Sequence, residues 1–117
     1  MKFLIFNGSL KPDAESNTFS VCKMAQLAFE KLGHECEIVT MRDLNYEGST
    51  SDVNDDLKPH IMKMFDVDGV IFATPIWWGN HSCHIQAMLE RLDVIYSWAK
   101  DNKHQPMYNK VFGSLVS

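Results

Sequence analysis

The sequence predicts an α/β protein built on a doubly wound parallel sheet, with helices on both faces in a three-layer α/β/α arrangement. Three observations predict it. Apolar runs of strand length recur at residues 2–6, 35–40, 69–74 and 110–116. The segments between the first three carry apolar residues at helical spacing, and so does the segment before the last. The resulting order, βαβαβαβ, is the one that crossover connections between parallel strands require.

The first run ends at Asn7-Gly8-Ser9, a turn signal in which Gly8 permits a tight turn. Residues 17–32 read as a helix, with Val21, Met24, Ala25, Ala28 and Leu32 on one face. Ser16 or Asn17 can cap its start, and Gly33 stands in the C′ position. In the second strand Cys36, Ile38 and Thr40 alternate with charged or polar neighbours. Residues 42–54 are polar and loop-like. Residues 55–65 form a weaker helix, with Leu57, Ile61 and Met64 on one side and Pro59 tolerated in the first turn. The third run, Val70-Ile71-Phe72-Ala73, reads as a fully buried strand. Residues 82–99 are expected as one long helix carrying Ile85, Met88, Leu89, Leu92, Ile95 and Tyr96, followed by a polar connection and the fourth strand.

The 117 residues suit a single domain, 1–117, with a modest core. A net charge of −4 argues against a nucleic-acid partner. No apolar run approaches the ~20 residues of a membrane span, and the opening apolar stretch is too short for a secretion signal, so the expected location is cytoplasmic. Three cysteines without CxxC spacing fit reduced thiols. Cys36 and Arg42 match the C-x5-R spacing of a thiolate phosphatase. The intervening residues contain no glycine and read as a strand, so no anion-cradling loop forms. His81, Cys83 and His84 have no second pair of ligands elsewhere, and no metal site is expected. Asp52, Asp55 and Asp56 suit the positive end of a helix.

Two loops carry the chemistry. After the first strand, Ser9, Lys11, Ser16, Asn17 and Thr18 gather hydroxyls, an amide and one cation at the start of a helix, where free backbone N–H groups and the helix dipole favour an anion. A phosphate monoester fits there. Helix capping alone would also account for Ser16 and Asn17. The loop lacks both Walker A and GxGxxG spacing. After the third strand, Thr74-Pro75-Ile76-Trp77-Trp78-Gly79-Asn80-His81-Ser82 places two indoles at the carboxyl end of a central strand, where open α/β sheets bind ligands. Such a loop suits a flat ring. Adjacent residues of an extended segment point apart, so at most one of Trp77 and Trp78 can lie flat on it.

Gly8-Ser9-Leu10-Lys11, Ser16-Asn17-Thr18 and the loop from Thr74 to Ser82, in this order and on these strand ends, resemble the flavodoxin-like NAD(P)H-dependent FMN reductases and NAD(P)H:quinone oxidoreductases. The resemblance implies that Ser9, Lys11, Ser16, Asn17 and Thr18 bind the FMN phosphate. It implies that Pro75, Ile76, Trp77, Trp78, Gly79 and Asn80 contact the ribityl chain and ring. Main-chain amides at Gly79 and Asn80 would stabilise charge on the reduced ring. FMN would pass electrons from NADPH or NADH to a quinone, flavin or similar small acceptor, with no catalytic side chain required. Trp77 stands where the family often has Tyr, and Gln86 where it commonly has a basic residue.

These residues supply four strands of the family's usual five and two of its three flavin loops, so the resemblance implies a C-terminally short form. The fourth strand then lies at a sheet edge, an aggregation or pairing hazard. A homodimer, or another chain covering that strand, is the implied assembly. Two further readings stand beside the enzyme: a small FMN electron carrier, and a flavin-free flavodoxin-like interaction module.

Overall fold

A computed structural model describes residues Met1–Ser117. The strands are β1 (Lys2–Asn7), β2 (Glu35–Thr40), β3 (Gly69–Thr74) and β4 (Val111–Val116). The helices are α1 (Asn17–Lys31), α2 (Leu57–Lys63), α3 (Cys83–Arg91) and α4 (Asp93–Asn102). All neighbouring strands are parallel, in the order β2-β1-β3-β4. The chain leaves β1 toward one edge and β3 toward the other. Their adjacent carboxyl ends therefore form the switch point at which such sheets bind ligands.

Alternation along β1 sorts the core onto two faces. Leu4 and Phe6 pack with Val39, Val70 and residues of α2, α3 and α4 in a cluster of 11 buried side chains. Ile5 faces the other way, with Ala73 and Cys22 of α1 in a cluster of only 3. One helix thus covers one face while three cover the opposite one. Burial pushes the Cys22 thiol up to about 12 and the Cys36 thiol up to about 11. Cys36 lies in β2, as the strand reading of the C-x5-R match requires.

Three expectations need correction. The seam of α1 is rotated from the expected face: Cys22 is buried and Ala25 and Phe29 are half-buried, whereas Met24 is 70% and Leu32 74% exposed. Apolar residues surround this helix, and its fit to Ile5 and Ala73 selects the side that turns inward. The single helix expected over residues 82–99 is two. At the junction Leu92 N–H donates to both Met88 and Leu89 carbonyls and Ile95 N–H to the Leu92 carbonyl, so the backbone tightens to i→i−3 bonding before Asp93 opens a new first turn. The expected helix over 55–65 is shorter, ending in a 3-10 turn at Met64–Asp66.

The acidic cluster does more than complement a dipole. Asp55 Oδ1 accepts from Leu57 N and Lys58 N, and so caps α2. The same carboxylate takes a two-pronged bond from Arg91, at 2.8 and 3.1 Å. Arg91 is 2% exposed and also donates to the Glu47 and Val53 carbonyls. This clasp fastens the long connection between β2 and α2 to the end of α3. The guanidinium holds the Asp55 carboxyl down at about 2. β4 pairs only with β3 and exposes Val111, Phe112 and Val116, so the expected edge is present.

Candidate functional site

The first loop is built by short-range bonding. Asn7, fully buried, accepts from Ser9 N through its side-chain oxygen and donates to Thr40 Oγ1 on β2. Ser16 caps α1 by accepting from Phe19 N and donates its own hydroxyl to Ser9 Oγ at 2.6 Å. Ser9 Oγ also accepts from Lys11 N and donates to the Lys11 carbonyl. The two serine hydroxyls are thus committed to shaping the turn. The main-chain N–H groups of Asn17 and Thr18, at the positive end of a 15-residue helix, have no partner in the chain. They are free donors of this loop, as are the Leu10 N–H and the side chains of Asn17 and Lys11.

Gly8 does not serve the turn through a left-handed backbone; only Gly33 and Gly79 among the glycines have positive φ. Its requirement is space. A Cβ at position 8 would lie 2.4 Å from Ile85 Cγ1 and 2.8 Å from Ser82 Oγ. Strand β1 therefore ends pressed against the first turn of α3.

The second loop is a hairpin on a fixed base. Thr74 Oγ1 accepts from Ser82 N at 2.8 Å, joining the two ends, and Ser82 Oγ accepts from Ile85 N to cap α3. Trp77 and Asn80 pair as an antiparallel bridge with two 3.0 Å bonds, N–H to carbonyl in each direction. The two residues between them, Trp78 and Gly79, have φ of 53° and 79°. Positive φ at both central positions is the geometry of a tight two-residue turn. Asn80 N–H is consumed by the bridge, so of the two amides expected to face a reduced ring only that of Gly79 is free.

One cavity, about 210 Å³, joins the two loops: Ser9, Lys11, Asn17 and Thr18 line it from one side, Pro75 and Trp77 from the other. Leu10, Ser16 and Ile76 also line it, and so does Glu15, an acidic residue beside the Lys11 cation. Ile76 also lines a neighbouring cavity of about 380 Å³ with Gly79, Asn80 and His81. Every expected site residue except Trp78 lines one cavity or the other. Trp78 is 99% exposed at the hairpin tip, whereas Trp77 is 47% exposed. The segment is a tight turn and not the extended one expected, so the difference between the two indoles comes from the turn. Ser117, which carries no signal in the sequence, also lines the first-loop cavity; its hydroxyl lies 2.6 Å from Thr18 Oγ1.

Around this site, Gln86 bonds His81 at 2.5 Å and donates to Glu90. The Tyr46 hydroxyl bonds His84 Nδ1. Burial, helped by Arg42, pulls the His84 pKa below its ordinary value, and burial raises that of Tyr46. No three His, Cys, Asp or Glu side chains converge as a metal site.

The sheet order, the switch-point crevice and the two loops define a flavodoxin-like α/β protein. The family model for NADPH-dependent FMN reductases matches residues 1–117, and the chain belongs to that family. It is 30% identical to the 8-demethyl-8-aminoriboflavin-5′-phosphate synthase of Streptomyces davaonensis, over 99% of this chain and 50% of that protein. It is 29% identical to an iron-sulfur flavoprotein of Archaeoglobus fulgidus, over 100% of this chain and 59% of that protein. The crystal structure of RosB with a bound 8-demethyl-8-formylriboflavin-5′-phosphate intermediate superposes with a TM-score of 0.85 at 28% identity, covering 99% of this chain and 51% of that one. The chain thus spans about half the length of the relatives it matches. No helix is long and apolar enough to cross a membrane.

Proposed function

We infer that the protein is an FMN-dependent oxidoreductase that passes electrons from NADPH or NADH to a quinone, flavin or similar small acceptor. The observation that carries this reading is the single cavity formed by both motif loops, which lie far apart in sequence. Family membership supports it. The residues fit the cofactor. The phosphate would take the free N–H groups of Asn17 and Thr18, the Asn17 amide and the Lys11 ammonium, with Ser9 and Ser16 holding the turn that aims them. Pro75, Ile76 and Trp77 would line the path of the ribityl chain and ring. The Gly79 N–H would offer a fixed dipole to charge on the ring edge, with Asn80 bracing it through the bridge. Trp78, turned outward, is better placed to meet the acceptor or a second subunit. Bound FMN would supply the two-electron chemistry itself.

A second subunit, or another chain, would cover the exposed apolar residues of β4. A homodimer is the assembly proposed.

A second reading has support in the 30% identity to the Streptomyces synthase and in the fit to RosB. In it, the flavin phosphate held by the same loops is a substrate to be altered at its ring, and not a retained carrier of electrons.

Titration with FMN and with riboflavin tests the site. FMN should bind at least about tenfold more tightly, the worth of a charge-assisted phosphate contact. Oxidation of NADPH by the holoprotein with a quinone present supports the reductase. An altered flavin mass after turnover supports the second reading. Electron exchange restricted to a protein acceptor would make the chain a carrier. A protein that stays colourless in millimolar FMN would sink both flavin readings and leave an interaction module.

A further inference from the structure

The cleft between α2 and α4 holds a cavity of about 490 Å³ that shares no residue with either flavin-loop cavity. Ile61, Met62 and Phe65, from α2 and the turn after it, face Val94, Ile95 and Trp98 of α4 across it. Met62 is 50% and Trp98 47% exposed, so the cleft is open to solvent. Its charged lining is already satisfied: Lys58 pairs with Asp52, and Asp55 holds Arg91. The one buried side-chain polar atom without a partner, His60 Nδ1, belongs to a residue outside the lining. Nothing in the cleft calls for a charge or a hydrogen bond. What it lacks is apolar surface to cover its own.

The tip of the second loop has the opposite need. The Trp78 indole is 99% exposed. A left-handed backbone, φ 53°, holds it outward, which costs energy in a residue with a Cβ. No contact within the chain offsets that cost. From Pro75 to Asn80 the hairpin carries no charge. An uncharged indole on a projecting tip is the kind of anchor that fills a pocket on a partner. Burial of such a ring removes about 150–250 Å² from water, and the uncharged tip matches a cleft whose charges are already paired.

Knob and cleft lie at opposite ends of the chain. The hairpin leaves the carboxyl end of β3, and Thr74 and Ser82 pin its base. From there α3 and α4 run back toward the amino ends of the strands, which puts Val94 roughly 15 Å below Cys83. α2 likewise descends to the turn that enters β3. A hairpin with a pinned base cannot reach its own cleft. Two copies packed head to tail about a two-fold axis bring each tip to the other's cleft, and the contact closes at two.

We propose that the Trp78 indole of one copy docks in the α2–α4 cleft of a second copy, and the reverse, as a contact of the homodimer. The inference rests on the homodimer proposed above and names its contact. It requires neither bound flavin nor the β4 edge.

The test is sedimentation velocity of the whole chain over a concentration series, without flavin. Wild type should pass from monomer to dimer. Trp78→Gly removes the knob, and Met62→Glu places a charge in the mouth of the cleft. Each should weaken dimerisation at least about tenfold, the scale of a central aromatic anchor. Both positions are exposed, so both variants keep the fold, which circular dichroism checks. An equimolar mixture of the two variants has one intact knob and one intact cleft, and should form more dimer than either variant alone. The Trp98 indole N–H resonance should shift with concentration in wild type and stay fixed in Trp78→Gly. A wild type that is monomeric at millimolar concentration would overturn both the contact and the homodimer. A dimer that both variants retain would overturn the contact and leave the homodimer to another face. A mixture no more associated than its components would overturn the exchange of knob and cleft.

Discussion

The Ser16 hydroxyl donates to the Ser9 hydroxyl at 2.6 Å, and through this bond the start of α1 and the end of β1 share one hydrogen-bonded turn. Ser16 also caps the helix, so its removal acts twice. Ser16→Ala should lower stability by about 1 kcal/mol through the lost cap. It should also weaken FMN binding at least about tenfold, because Ser9 and the free Asn17 and Thr18 amides lose their common anchor. Thermal unfolding and an FMN titration measure the two effects separately. Unchanged affinity in a correctly folded variant would reduce Ser16 to a cap.

The Arg91–Asp55 clasp predicts a pH dependence. The Asp55 carboxyl is held at about 2, below its usual 3.8. Its folded-state value is depressed, so the pair's stabilisation is full above the unfolded value and is lost as the pH falls from 3.8 toward 2. The contribution amounts to about 2 kcal/mol. Urea unfolding of wild type and Asp55→Asn across this window should show the slope only in wild type. Arg91→Leu, which strands a mostly buried carboxylate, should cost about 3 kcal/mol at neutral pH.

Gly8→Ala should be destabilising by about 1–3 kcal/mol despite its small size, since the new methyl overlaps Ile85. Ile85→Ala removes the overlapping atoms. In the double variant the cost of the alanine at position 8 should shrink, which a double-mutant cycle in urea would read. Strict additivity would show that space is not what position 8 demands.

The two indoles should separate in function. Trp77→Ala should weaken FMN binding about tenfold, the scale of one ring stacking contact. Trp78→Gly should leave affinity unchanged and raise stability by about 1 kcal/mol, because it relieves a left-handed backbone in a residue that has a Cβ. Flavin fluorescence and thermal unfolding test the pair. Equal losses of affinity from both substitutions would contradict the outward placement of Trp78.

The strands are legible because their apolar runs are short and bounded, and in β1 and β3 largely buried. Residues 35–40 and 69–74 fall where the structure has β2 and β3. Both loops were readable because each lies wholly within one strand–helix junction. What escaped depends on partners distant in sequence. Arg91 meets Asp55 across 36 residues, so the acidic cluster resembled simple dipole matching. The space required at Gly8 comes from Ile85, on another element. The seam of α1 was misread because Met24, Leu27 and Leu32 give its outer side an apolar character that the sheet never uses. The break at Leu92 has no Gly or Pro to announce it.

The base and the tip of the second loop have separate supports. Thr74 and Ser82 close the base, while the Trp77–Asn80 bridge closes the tip upon itself. Residue 78 faces only solvent, so its replacement disturbs no packed neighbour. The tip is in effect an interchangeable bit in a fixed chuck: single substitutions can change what the loop presents to solvent, with little cost to the cradle behind it.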